Sequence, residues 1–335
     1  MSFMEILGST FDDSVFEESR NRVSAALPKY EPKLCHPLAS IHTLELRICE
    51  NSNGAWFTEA GYVGDPLEDQ RGFKFRGDLA YRRKQYQRAL DEYVSCLSLV
   101  PAGNVSVRRD VLEGIARCCC HLGKKDEALK ACQKLRTEVS NTSHLTCVLQ
   151  LEQSIHEHHR DLSSSVSSLQ KRCCLHPYHP WHWLKLGMSL QILLENLNCS
   201  LEAPPSDEEE YREKGLETHI VLAQQTVMCL IRSRMLIEIL QVQQFSFVLE
   251  KSQRALQDIE EALHDLQPTD RMLHIVSEVM AEDLNPEKMR EENQDGESLL
   301  GLSIKDFDER WWNKLYTRLR EEKALLVYPR IPEGS

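Results

Sequence analysis

Ten consecutive positions, Cys173-Cys174-Leu175-His176-Pro177-Tyr178-His179-Pro180-Trp181-His182, hold five side chains that could ligate zinc, and His156-Glu157-His158-His159 lies a short way upstream. Zinc needs about four soft donors converging tetrahedrally, usually from two separated pairs with a short knuckle inside each pair. Adjacent Cys173 and Cys174 lack that knuckle, and a cysteine on a buried helix face is an ordinary small apolar residue. The expectation is no metal and no cofactor. Cys118-Cys119-Cys120-His121 sets thiols beside an imidazole, the pairing that activates a cysteine nucleophile. Sequence neighbours on a helix point roughly 100° apart, however, and no orienting acid or oxyanion donor accompanies them. These cysteines read as core. The chain also lacks a G-x-x-x-x-G-K-[ST] loop, H-E-x-x-H, G-x-S-x-G and any strand-turn-helix dinucleotide pattern. No enzymatic machinery is visible, and no catalytic residue is expected.

The elements that must carry these residues are helices. With 14 Gly and 13 Pro in 335 residues the chain has too few turn formers for a β-rich fold. A net charge of -12 opposes binding to a phosphate backbone, which needs clustered Lys and Arg, so nucleic acid is not an expected partner. The 12 cysteines fall in runs and singletons rather than a spaced framework, which points to a reducing compartment. Met1-Ser2-Phe3-Met4-Glu5 has no basic n-region, so the expectation is an intracellular protein of cytoplasm or nucleus. Asn104, Asn141 and Asn198 each open an N-x-[ST] triplet, which without secretion is a chance match. The apolar window Val227 to Leu240 contains Arg232, Arg234 and Glu238 and reads as too short for a bilayer, so no membrane is expected.

Small and large residues recur at fixed offsets. Phe73, Gly77, Ala89, Tyr93 and Pro101 match a W-x2-L-G-x2-Y…A-x3-F…P helical hairpin, in which Gly77 and Ala89 let two helices approach, Phe73 and Tyr93 fill the space between them and Pro101 ends the second. Ala116 and Ala128 repeat the Gly77 to Ala89 separation in a second unit, with Gly123 at its turn. A third unit, from about Leu145 to Pro177, has Ser165 in the small slot, Leu169 in the aromatic slot and Gln153 in place of the glycine. Trp183, Leu186 and Gly187 then open a fourth, entered from Pro177.

Over roughly residues 70 to 195 the chain resembles the tetratricopeptide-repeat family. The resemblance implies an all-α, helical-hairpin solenoid whose ligand peptides lie against the inner faces of the first helices, and therefore a scaffold or adaptor whose partner is another protein. Its groove slots fall on Arg71, Lys74, Asp78, Tyr81 and Arg82, then on Asp110, Glu113, Arg117, Cys120 and His121, and in the fourth unit on Trp181, Leu184, Met188 and Gln191. Arg71, Lys74 and Arg117 would meet acidic groups, and Tyr81, Trp181 and Leu184 would give apolar anchors. The chaperone-binding branch clamps a C-terminal carboxylate with Lys and Asn. Here Lys74 matches the lysine, but Asp78 stands where the asparagine belongs and would repel the ligand.

The remaining organisation follows from composition. Residues 1–32 read as an acidic N-terminal tail. Residues 33–70 read as a helix at Leu38 to Ile48 and a loop marked by Gly61, Gly64 and Pro66, before repeats over 71–196. Residues 197–210 form an acidic, proline-containing insertion, 211–284 long helices continuing the solenoid, and 285–302 a charged loop. In 303–335, Ser303 and Asp306 start a helix with Phe307, Trp311, Leu315 and Leu319 on one stripe, read as capping the stack, followed by an extended tail at Val327 to Pro332. A second reading makes the chain an obligate subunit of a complex, contacting its mate through the outer surface or the helices after 207. A zinc or thiol enzyme is a third.

Overall fold

A computed structural model describes residues 64–201, 209–242, 244–284 and 304–322. The expected N-terminal tail, the helix at Leu38 to Ile48, the loop 285–302, Ser303 and the extended tail lie outside the described residues, as does the middle of the acidic insertion. Among the described residues all regular structure is helical.

The first described helix, α1 (Pro66–Arg82), starts earlier than the sequence suggested. Pro66 belongs to the helix and not to a loop, because at the first helical position its missing N–H has no partner to lose. Asp65 caps it by accepting a hydrogen bond from the Leu67 N–H at 3.1 Å. There follow α2 (Tyr86–Leu99), α3 (Val105–His121), α4 (Lys125–Thr137), α5 (Thr142–His158), α6 (Leu162–Leu175), α7 (Pro180–Leu201) and α8 (Glu209–Gln241), each packed on the one before. Helices α9 (Ser246–Leu266) and α10 (Asp270–Ala281) both pack on α8. The last segment is α11 (Ile304–Phe307), a π-helical turn at Asp308–Trp312, and α12 (Asn313–Glu321).

One turn geometry recurs between the helices of three successive pairs. After α1, α3 and α5 a residue adopts positive φ: Lys84 at 59°, Gly123 at 76° and Arg160 at 58°. The N–H after it returns to a carbonyl in the last turn, Gln85 to Ala80, Lys124 to Cys119 and Asp161 to His156, at 2.8 to 2.9 Å. This 6→1 bond satisfies carbonyls that a helix end otherwise leaves unpaired. Only Gly123 announces the turn in the sequence, because the other two positions carry basic residues that adopt the same backbone conformation.

Between α1, α2 and α3 the packing centres on Tyr93. A Cβ on Gly77 would stand 2.7 Å from its ring, and one on Gly114 2.8 Å. The ring is held between two glycine faces, and its hydroxyl donates to Asp78 Oδ1 at 2.8 Å. Ala89, Ala116 and Ala128 are fully buried in the same cluster. In the third pair Ser165 and Leu169 are fully buried, and Gln153 is buried where the earlier pair has glycine. In the fourth, Gly187 faces Leu230 of α8, so α8 takes the second-helix place across the 202–208 segment.

A second core joins α6 to α12. Trp183 lies at its centre and donates Nε1–H to the Pro177 carbonyl at 2.8 Å, which fixes the loop between α6 and α7. Phe307 and Trp311 pack on the Trp183 ring, with centroids 5.6 and 5.0 Å away. The π turn inserts one extra residue per turn, so neighbouring Trp311 and Trp312 both reach the interior. Helix α11 packs on α6 and helix α12 on α10, and so both form part of this core.

On length alone the expectation that the α8 region is too short for a bilayer does not hold. Gly215–Gln241 is a 27-residue stretch whose most apolar window has a mean hydropathy of 1.3, and 72% of that window is buried inside the protein. Arg232, in the middle of it, is fully buried and faces Asp283.

Candidate functional site

A cleft of about 690 Å³ opens between α5 and α7. Helix α5 contributes Thr146, Gln150, Gln153, Ser154 and Glu157. The opposite wall comes from the α6–α7 junction and the start of α7: Arg172, His176, His179, Trp181, His182 and Lys185. Pro180 opens α7 for the reason Pro66 opens α1, and the three histidines and Trp181 flank that start.

The polar groups of the cleft form a connected set. Arg172 donates Nη1–H to Gln153 Oε1 and sets Nη2 2.9 Å from His182 Nε2. Among the described residues no carboxylate pairs with Arg172, and burial lowers its pKa while Cys173 and Glu157 oppose that shift. Its Nε and His182 Nδ1 have no hydrogen-bond partner. His182 is 5% exposed and stacks on His179 with ring centroids 4.0 Å apart. Burial, reinforced by His179 and Arg172, pushes the His182 pKa down to about 2. His176 and the more exposed His179 shift the same way, desolvation against the cleft wall leading and the Arg172 charge adding to it, and His176 Nε2 lies 2.6 Å from the Thr146 hydroxyl. The single carboxylate lining the cleft among the described residues, Glu157, accepts from Gln153 at 2.9 Å and pairs with Lys185 at 3.1 Å. Among the described residues the site thus has donors in excess and a half-buried cation that no carboxylate contacts directly, Glu157 acting on it only through space.

The groove residues read from the sequence divide between this cleft and other places. Trp181 lines the cleft and carries Lys251 Nζ 4.2 Å above its ring. Leu184 is half-buried against the second core, and Met188 is 38% exposed. On α1, Lys74 pairs with Asp78 at 3.1 Å, Asp78 also holds Tyr93, and Arg71 pairs with Glu68 at 3.2 Å. On α3, Arg117 pairs with Glu113 at 2.6 Å. Tyr81 faces His121 across 3.2 Å, and Tyr86 stacks on the same imidazole at 4.2 Å. Gln150, Ser154 and Glu157, which occupy in the third unit the slots read off for the other three, were missed because that unit lacks its glycine. The register from Ser165 and Pro177 would have found them. Arg172 was missed because it lies on a second helix.

The two reactive groupings come apart in three dimensions. Cys173 is fully buried in the second core, whereas His176, His179 and His182 line the cleft. His156 pairs with Asp161 at 3.3 Å, and His158 sets its ring edge towards His121 and His159. Among the described residues no group of three or more His, Cys, Asp or Glu is arranged to hold a metal ion. Cys118 and Cys119 are buried, and burial pushes the Cys118 thiol up to about 12 and raises Cys119 and Cys120 too, the reverse of an activated thiolate.

A family model described as a family of unknown function (DUF5588) matches residues 5–191 and 189–321. The chain belongs to this family. The uncharacterised protein C8orf76 homolog of Rattus norvegicus is 32% identical over 366 residues, covering 92% of this chain and 93% of that protein. The uncharacterised protein C8orf76 of Homo sapiens is 31% identical over 373 residues, with the same shares covered. DUF5588 therefore takes in the hairpins, the cleft and the second core together, and its two matched stretches meet inside α7.

Proposed function

We propose that this protein is a non-enzymatic scaffold: a tetratricopeptide-like solenoid continued by α8 to α10, which seats a peptide or helix of another protein along its first helices. The observation that carries this reading is the coincidence of cleft and register. Three turns repeat one hydrogen-bond pattern at the same slot of successive pairs, and the cleft opens between α5 and α7, two consecutive first helices, where the resemblance puts a ligand. Trp181 at its rim is the expected anchor, since aromatic side chains in partly enclosed pockets dominate interface energies. Net charge argues against nucleic acid, the buried α8 window against a membrane span, and the cysteine usage for the cytoplasm or nucleus. Quantitative affinity purification with the full chain tests the reading. A doubly substituted Trp181→Ala, Met188→Ala protein with an unchanged circular dichroism spectrum should lose its partner, and undiminished recovery would remove the groove from consideration.

One observation favours the second reading, an obligate subunit. Val242, Phe245 and Phe247 at the α8–α9 junction are 80%, 79% and 75% exposed. Apolar side chains clustered this way often mark a contact surface. A chain that needs a mate there should aggregate when purified alone and become monodisperse after Phe245→Ser and Phe247→Ser substitution, whereas a free-standing scaffold is monodisperse from the start.

A further inference from the structure

The cations that the resemblance offers to acidic ligands are already neutralised: Arg71 by Glu68, Lys74 by Asp78 and Arg117 by Glu113. Arg172 differs. Its fork rests on two neutral acceptors, Gln153 and His182, and it looks into an open cleft rather than a sealed core. A half-buried cation with no carboxylate in hydrogen-bond contact, and only the charge of Glu157 acting on it through space, carries a desolvation penalty that an incoming anion relieves. Around it stand imidazoles from His176 and His179, the Lys185 ammonium and the Gln150 amide. The start of α7 adds the positive end of a 22-residue helix.

We propose that this cleft receives the phosphate group of a phosphorylated peptide segment, with Arg172 as the central cation and His176, His179 and Lys185 as flanking donors. A carboxylate offers two oxygens and one charge. A phosphate monoester offers three terminal oxygens and nearly two charges, which suits a guanidinium fork with donors on both sides. Among the described lining residues Glu157 is the one opposing charge. It is tied to Lys185 and Gln153, so the arriving phosphate takes Lys185 in exchange. The peptide half of the proposal rests on the scaffold reading, and the phosphate half does not.

Calorimetric titration of the full chain at constant ionic strength separates the two. Inorganic phosphate and N-acetyl-phosphoserine amide should bind, sodium acetate should not, and Arg172→Gln should weaken phosphate binding about tenfold or more. Lys185→Gln and His179→Gln should weaken it severalfold, and because both side chains are exposed they carry the test if Arg172→Gln does not fold. Binding undiminished in all three variants, or acetate binding as tightly as phosphate, would overturn the site. Absence of phosphate binding, alongside partner loss in the Trp181→Ala, Met188→Ala protein, would overturn the site and leave the scaffold standing. Phosphate binding with that protein's partner recovery intact would do the reverse.

Discussion

The pairs α1 to α6 and the core from α6 to α12 solve one packing problem with different materials. In the first region a large ring is fitted against helix backbone, with Tyr93 between Gly77 and Gly114, and fully buried alanines close the remaining gaps. In the second, the glycine slot recurs at Gly187, but its neighbour is the flexible end of Leu230, and order comes from Trp183, Phe307, Trp311 and a buried Arg232–Asp283 pair. The first region is specified by shape over short sequence distances, the second by polar and aromatic contacts between distant segments. The cleft lies where the two meet, walled by α5 on one side and by the start of α7 on the other.

If that contrast is right, the largest effect should follow from Asp283→Ala. Arg232 is fully buried and donates to both Asp283 oxygens, at 2.5 and 3.1 Å, as well as to the carbonyls of Met280 and Pro177. Removing the carboxylate leaves a buried guanidinium with neutral carbonyls and the faces of Tyr178 and Trp183, as Arg310 is itself a cation at 3.5 Å from the same acid. Urea unfolding should register a loss of about 3–5 kcal/mol. A loss below 1 kcal/mol would mean that the second core does not depend on this pair.

Glycines that face side chains of neighbouring helices give the next test. Gly77→Ala and Gly114→Ala push a methyl into a rigid ring at 2.7 and 2.8 Å and should each destabilise by about 1–3 kcal/mol. Gly187→Ala meets Leu230 Cδ2 at 3.1 Å and Cys229 Cβ at 3.3 Å, contacts that a leucine rotamer can partly relieve, so its effect should be smaller. Equal losses at all three positions would erase the distinction between ring-filled and leucine-filled hairpins.

The same contrast explains what could be read from the sequence. Phe73, Gly77, Ala89 and Tyr93 were legible because their chemistry is steric and their partners lie within one hairpin. Trp183, Leu186 and Gly187 were legible from their motif spacing, although Trp183 meets Phe307 and Trp311 and Gly187 meets Leu230 far along the chain. Arg232 and Asp283 sit on segments far apart in the chain, so nothing local announces their pairing. The π turn at Trp311-Trp312 breaks the helical period that a stripe of apolar residues assumes, so Trp312, absent from the stripe of Phe307, Trp311, Leu315 and Leu319, is nevertheless buried. In the cleft Trp181 was legible from its slot. Arg172 was not, since its meaning depends on which carboxylates fail to reach it.

Acid should unfold the two regions in different windows. The folded pKa of His182, held to about 2 by burial and its cationic and imidazole neighbours, lies far below the ordinary 6.5. The unfolded chain therefore binds the extra proton, and the stabilisation present above pH 6.5 falls away below it. The loss is about 1.4 kcal/mol per pH unit, or about 2 kcal/mol by pH 5. In the first region Asp161, whose hydrogen bonds to Lys125 and Ser164 hold its carboxyl well below the usual range, works in a lower window: its stabilisation is present above about pH 4 and is lost below that. His182→Gln should flatten the pH 5–7 slope of urea stability and leave the decline below pH 4 in place. An unchanged slope would mean that His182 takes up its proton in the folded state.

The smallest expected effect concerns the repeated turn. Lys84 and Arg160 adopt positive φ at the position where the second unit has Gly123, and a side chain in that conformation is strained by about 1 kcal/mol or more relative to glycine. Their turns make the same backbone hydrogen bonds as the glycine turn, so the strain is borne by the turn rather than relieved by a different loop. Lys84→Gly should then stabilise the chain by up to about 1 kcal/mol, less the entropy that glycine adds to the unfolded state. Gly123→Ala should cost a similar amount in the opposite direction. Thermal unfolding of both variants reads the difference directly. If Lys84→Gly destabilises, the lysine side chain contributes packing that outweighs its backbone strain, and the three turns are alike in their hydrogen bonds but not in their energetics.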